Sequence, residues 1–232
     1  MLSIFKKNIT KCANNLLAEK MELKFLLERA SSFVKYNNIE ALEDLQRLVL
    51  RPLQSQHMLD AYLKEDHDSL RSFHAWNDIG IGFIPGLQKN FIEFVLEHRI
   101  EKELLPAAKL GRDNVLPTSW HPSSMLNSIG QIGEGRKYGS WIQDSNHKLT
   151  YMSPINLYFV NGGNHSIAVG ILLTEGAVIP QEGYDLTELY AHVIFDGVHW
   201  IDSKTERRIG KPRYKEFGFV YEIGRLIAEL KS

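Results

Sequence analysis

The stretch INLYFVNGGNHSIAVGILLTEGAVIP, residues 155–180, changes its hydrophobic period in the middle, and that change decides the fold class. INLYFV is a short β-rich run and reads as a strand. Asn161-Gly162-Gly163-Asn164 is a turn by composition. Beyond it Ile167, Val169, Gly170, Leu172 and Leu173 recur at helical spacing, and AVIP reads as a further strand. Outward from this core, KLTYM (148–152) is an upstream strand divided from INLYFV by Ser153-Pro154. ELYAHVIFDGVHWID is a hairpin turning on Asp196-Gly197, a strong short-range hairpin signal. EFGFVYEIGRLIAELK closes the chain as a helix. Residues 111–140 are rich in Gly, Pro, Ser and Asn, with one short helix, SSMLNSIGQI, capped by Ser123 or Ser124.

The first third of the chain is helical by the same test. Leu23, Leu26, Leu27, Ala30, Phe33 and Val34 form one stripe, and Ile39, Leu42, Leu45, Leu48 and Val49 another. Pro52 is expected to stop or kink the second helix, with HMLDAYLKED as a separate short one. GIGFIPG (80–86) reads as a loop. KNFIEFVLEHRIEKELL reads as one amphipathic helix with Phe91, Phe94, Val95 and Leu104 on one side. The predicted class is therefore α+β: a helical N-terminal half (1–110) packed on a small mixed-sheet C-terminal half (111–232). The boundary falls near 106–118. Whether the halves share one core stays open at this level.

Composition narrows the function classes. The 232 residues carry 27 Lys plus Arg against 28 Asp plus Glu, a net charge of -1, so there is no bulk attraction to nucleic acid or anionic lipid. Hydrophobic residues make up 44%, which suits a packed soluble protein and argues against disorder. The single cysteine, Cys12, excludes an internal disulfide and any Cys-rich metal site. It lacks a visible partner and is not read as a nucleophile. With no stretch apolar enough to span a bilayer and no signal peptide, a cytoplasmic protein without membrane contact is expected.

Three segments hold candidate chemistry. At the glycine turn, Gly162 and Gly163 allow positive φ and close backbone approach, and the helix that follows offers free N–H groups and a positive dipole end to an anion. Asn164, His165 and Ser166 add side-chain donors there; the plainer reading is that Asn164 or Ser166 merely caps the helix. In SWIQDSNHKLTYM, the residues Trp141, Gln143, Asp144, Asn146 and His147 crowd one turn. Asp144 is placed to orient His147 as acid, base or metal ligand, against the plainer reading of an Asx-turn. In SWHPSS and GEGRKYG, His121 is a further ligand or base, and Arg136 and Lys137 are candidate phosphate contacts, although the Walker A spacing is absent. His121, His147, His165 and Asp144 make an imaginable metal set with no established ligand spacing. No G-x-S-x-G elbow supports a serine triad.

Residues 140–197 resemble a family of mostly uncharacterised bacterial and mobile-element proteins. The shared pattern is W-x-Q-D-x-N-H (Trp141 to His147), G-G-N-H-S-I (Gly162 to Ile167) and a D-x-x-x-L-Y-x-H-V…D-G segment over 185–197. That resemblance implies a mobile-element or phage-defence setting and no established activity. A more distant similarity is to the ParB/sulfiredoxin-like fold: Gly163, His165, Ala168 and Gly176 fall where its strand, turn, helix and strand pattern wants them. The resemblance implies nucleotide phosphates bound at the turn and helix start. Two departures stand out, since Ser166 replaces the Arg that pairs with phosphate and sulfiredoxin's catalytic Cys is missing.

Three functions compete on these grounds. One is a nucleotide- or nucleic-acid-phosphate-binding protein of ParB-like type, acting as hydrolase, nuclease or phosphotransferase. Its expected catalytic residues are Asp144, His147 and His165. Gly162, Gly163, Asn164, Ser166, Arg136, Lys137, Gln143, Asn146 and Trp141 are the expected substrate-binding residues; the cofactor stays open at this level, with Mg²⁺ a candidate. The alternative is a non-catalytic interaction or regulatory protein with a protein partner and an apolar surface patch. The third is direct nucleic-acid binding through the basic run KTERRIGKPRYK (204–215), whose ordinary reading is a solvated loop.

Overall fold

The computed structural model describes the backbone of residues 2–64 and 70–232, with side chains from residue 16 onward in those ranges. Cys12, His67 and the end of HMLDAYLKED have side chains outside the described residues. Helix α1 (Leu2–Lys35) is followed by α2 (Ile39–Leu63), α3 (Ala75–Ile79), β1 (Phe83–Ile84), β2 (Lys89–Asn90) and α4 (Phe91–Glu97). Then come β3 (Ala108–Lys109), β4 (Asn114–Leu116), α5 (Pro122–Gln131), β5 (Lys148–Ser153), β6 (Leu157–Gly162), α6 (Asn164–Leu173) and β7 (Ala177–Val178). The chain ends through β8 (Glu182–Asp185), β9 (Val193–Phe195), β10 (Trp200–Asp202), β11 (Arg208–Gly210) and α7 (Lys215–Lys231). This is an α+β protein with small mixed sheets.

The central sheet has the order β4-β6-β5-β8. β5 and β6 are antiparallel, while β4 runs parallel to β6 and β8 parallel to β5. Both faces of this sheet are buried, and β6 shows it by alternation. Leu157 and Phe159 join one apolar cluster with Phe91, Trp200 and Phe217; Tyr158 and Val160 join another with Leu110, Met125 and Ile167. Leu23 and Leu50 pack in the first cluster and Met58 and Leu105 in the second, so both cores draw on residues from each side of position 110. A third cluster, Ala30, Leu42, Ile223 and Ile227, ties α1, α2 and α7 together. α6 is buried around its circumference from Ile167 to Ile171, which explains why its sequence is apolar without an amphipathic stripe.

The local expectations for 148–180, for the 193–202 hairpin and for the closing helix match the elements found. Others differ for identifiable reasons. α2 runs straight through Pro52 into HMLDAYL. The proline removes only the bond to the carbonyl of Leu48, and both residues face solvent, where water donates to that carbonyl instead. Leu48 is therefore not part of the apolar stripe. GIGFIPG contributes strand β1, which pairs with β2. KNFIEFVLEHRIEKELL is broken: α4 opens on an Asn90–Glu93 capping box and ends at Glu97. The next residues pair with the β8 edge, with Ile100 N–H donating to Gly183 O (2.8 Å) and Asp185 N–H to His98 O (2.9 Å). Leu104 is consequently exposed. In the basic run, Arg213 is no solvated cation: it bonds Asp78 (3.3 Å) and the carbonyls of Ser72 and Arg71.

One side chain bolts the helical part to the sheet. Gln46 of α2 is fully buried; its amide donates to Pro154 O (3.0 Å) and its oxygen accepts from Asn156 Nδ2 (2.9 Å). Gln46→Leu strands the Pro154 carbonyl and the Asn156 amide in the interior. The expected loss is roughly 2–4 kcal/mol of unfolding free energy, read as a lower urea midpoint at unchanged slope. A midpoint equal to wild type would contradict this assignment.

Candidate functional site

The two polar turns meet, and they meet through His147. Its ring is 3% exposed and leans on the Trp141 indole, with centroids 4.6 Å apart. The Asp144 backbone N–H donates to Nδ1 at 2.8 Å, so the ring proton sits on Nε2 and is donated to Ser166 Oγ at 2.6 Å. Ser166 in turn donates to the Gly163 carbonyl (3.1 Å), and the carbonyl of Ser166 accepts from Trp141 Nε1 (2.6 Å). The glycines are required by this closeness. A Cβ on Gly163 would sit 2.4 Å from His147 Cδ2, at a φ of +75°, and one on Gly162 would sit 2.6 Å from the Asn146 carbonyl.

The Asp144 carboxylate stands 3.3 Å from His147 Nδ1, but the hydrogen bond to that nitrogen comes from the Asp144 backbone N–H. Its side chain is 66% exposed, and Oδ1 accepts from Asn146 N–H at 2.7 Å, closing an Asx-turn. Gln143 clamps the backbone of Ile179, donating to its carbonyl (3.2 Å) and accepting from its N–H (3.0 Å). Burial lowers the His147 pKa against the raising pull of Asp144, so the imidazole is held neutral.

His165 looks elsewhere. Its Nε2 accepts the backbone N–H of His121 at 3.2 Å, which leaves the proton on Nδ1. Trp120, 44% exposed, lies edge-on to His165 (5.5 Å) and to His121 (5.8 Å). His121 is itself the N-cap of α5, its Nδ1 accepting from Ser124 N–H at 3.2 Å, in the place where a serine cap was expected. Pro122 follows at the first helical position. Burial, and then the neighbouring His121, lower the His165 pKa. The starts of α5 and α6 are thus side by side, and the helices run the same way. At the far end a Cβ on Gly133, just past α5, would touch Leu173 at the end of α6 (2.9 Å). Two positive helix ends converge.

Asn164 faces the same loop, its Oδ1 accepting from Thr118 N–H at 2.6 Å. Thr118 is a junction: its Oγ1 accepts from Phe73 N–H (3.1 Å) and bonds His57 Nε2 (2.9 Å). Neither Asn164 nor Ser166 caps α6; the N-cap is Gly163, which has no side chain to offer.

Arg136 and Lys137 stand apart from this place. Arg136 donates to the carbonyls of Ile129 (2.5 Å) and Ile132 (2.7 Å) and closes the C-terminal end of α5, a helix length away from His165; Lys137 lies over Tyr138. The four-residue metal set also does not assemble, because the His147 ring turns to Ser166, the His165 ring to the His121 backbone and the His121 ring to Ser124. Among the described residues no three His, Cys, Asp or Glu side chains are grouped to hold a metal. No helix among them is long and apolar enough to cross a membrane.

Over residues 7–232 the chain matches the family of unknown function DUF6710, and it belongs to that family. No curated protein and no solved structure matches it.

The histidines set an acid limit on this region. His57, buried and stacked on Phe73, has its pKa lowered to about 4 from 6.5 by burial first and by Arg213 second. Between those values the unfolded chain takes up a proton that the native chain refuses. Stability is therefore full above pH 6.5 and falls as the pH drops towards 4, by roughly 3 kcal/mol for this one group. His147 and His165 shift in the same direction. Thermal melts across that window should show the decline, and His57→Gln should flatten it. An unchanged slope in the variant would refute the role given to His57.

Proposed function

We propose that the joined starts of α5 and α6 bind the phosphate of a nucleotide or of nucleic acid. The observation that carries this is the contact between His121 N–H and His165 Nε2, which brings two helix N-termini to one place. Backbone N–H groups at a helix start and the dipole behind them favour an anion, and two such ends add. The neutral His165 ring keeps an Nδ1–H donor, and the exposed Trp120 offers a surface on which a base can stack. The order of β6, glycine turn, α6 and β7 is in keeping with the ParB/sulfiredoxin-like resemblance, and Arg is replaced in this arrangement by helix ends rather than by Arg136.

In this reading His147 is a positioning residue. Donating from Nε2 to Ser166, it cannot also take a proton from a nucleophile there. Its work is to fix the α6 start. Any hydrolase, nuclease or phosphotransferase step then falls to His165, with Mg²⁺ brought on the phosphates. Isothermal titration with ATP, CTP and GTP, each with Mg²⁺, should give saturable heat with at least one of them. His165→Ala should abolish the heat and Trp120→Ala weaken it. Phosphate release in the same samples reports turnover. No heat with any nucleotide would defeat the proposal.

A second reading, a non-catalytic interaction or regulatory protein, has its own observation. A groove of about 390 Å³ between α2, α5 and α6 is lined by Met58, Leu59, Tyr62, Met125 and Leu172, and Leu59 and Leu172 are at least half exposed. It predicts concentration-dependent association in sedimentation that Leu172→Glu removes. A clean monomer that turns over nucleotide would count against it.

A further inference from the structure

At the other end of β6 lies a second concave surface of different character. Tyr158 is separated from Gly162 by roughly 13 Å of strand. There a pocket of about 300 Å³ opens among α2, residues 106–114 and the end of α7. Its floor is the pair Tyr151 and Tyr158, with rings 4.8 Å apart. Tyr151 donates to Asn156 Oδ1 at 2.8 Å, and the buried Gln46 fixes Asn156 from behind. Asn114, also buried, donates to the Asn156 carbonyl at 3.4 Å.

Tyr158 differs from its neighbour. The residue as a whole is 4% exposed, and its hydroxyl, which is not among the buried polar atoms left without a partner, opens onto the pocket and makes no hydrogen bond among the described residues. Burial pushes the Tyr158 phenol up and the Tyr151 phenol up to about 12, so both stay protonated at neutral pH; the Tyr151 proton is given to Asn156, and that of Tyr158 is left for a ligand.

Charge completes the site. The two carboxylates on its wall, Glu43 and Asp113, face Arg47 at 3.5 and 3.8 Å, and Asp44 pairs with the same guanidinium. Lys109, Arg112 and Lys231 also line the pocket, and none of them makes an ion pair among the described residues. A positive mouth therefore stands over a hydroxyl floor. The volume is at the small end of ligand pockets and suits a pentose or hexose phosphate better than a triphosphate.

We infer that this pocket binds a small phosphorylated polyol, its phosphate held by Lys109, Arg112 and Lys231 and one of its oxygens accepting from Tyr158. The inference is independent of nucleotide binding at α6. The test is calorimetry on the full chain with ribose 5-phosphate, compared with ribose and with inorganic phosphate. Ribose 5-phosphate should bind at least about tenfold more tightly than either fragment. Tyr158→Phe, which removes an oxygen without a protein partner, should weaken binding about tenfold at an unchanged melting temperature. Arg112→Gln, at an exposed position, should weaken it and reduce its salt dependence. His165→Ala should leave it intact, which separates this site from the one at α6. The inference is overturned if ribose 5-phosphate gives no heat, if inorganic phosphate binds as tightly, or if a folded Tyr158→Phe or Arg112→Gln protein binds like wild type.

Discussion

The geometry around α6 depends on one wedge: the neutral imidazole of His147 pressed between an indole and a glycine. A neutral ring can accept at one nitrogen and donate at the other, and both bonds are used, one to the turn that carries it and one to the helix beside it. Protonation would put a second donor where the Asp144 N–H already points, so the junction tolerates only the uncharged form. Burial supplies that condition. What looks like a catalytic histidine by composition is a rivet by geometry, and the polar residues around it (Asp144, Gln143 and Ser166) are mostly spent on backbone partners.

The phosphate recognition we propose at the α5 and α6 starts does not need an arginine. A helix start presents N–H groups that lack intrahelical acceptors, and two starts side by side concentrate that field without a flexible cation. His165 fits this economy, because its accepting nitrogen is taken by a backbone amide and its donating nitrogen remains. The contrast with the tyrosine pocket is one of means. There the positive charge comes from long side chains at a rim, and the donor is the Tyr158 phenol, packed beside a Tyr151 that a buried amide chain from Gln46 through Asn156 holds in place.

The parts of the fold legible in the sequence are those whose determinants are local. The change of period across Gly162 and Gly163 marks β6 and α6 because strand, turn and helix each leave their own spacing. Asp196-Gly197 marks its hairpin for the same reason. Illegible were outcomes decided by distant partners. Pro52 is tolerated because the helix face it interrupts is turned to solvent, a fact of burial rather than of propensity. α4 stops early because residues 98–100 find an edge at β8. Arg136 is drawn off to cap α5, and the tyrosine pocket is gathered from α2, the 106–114 loop, β5, β6 and α7, which no spacing rule connects. The meeting of the two turns was readable as a crowding of polar types, but its purpose was not.

The closeness of Gly163 to His147 also constrains how this chain can diverge. There is no room for a methyl group on one side unless the ring on the other shrinks, and a smaller side chain at 147 would in turn release the serine. Substitutions at these places are therefore passable only as coordinated pairs. Across related chains the two columns should vary together or stand still together, leaving a paired footprint in descent that either site alone would not reveal.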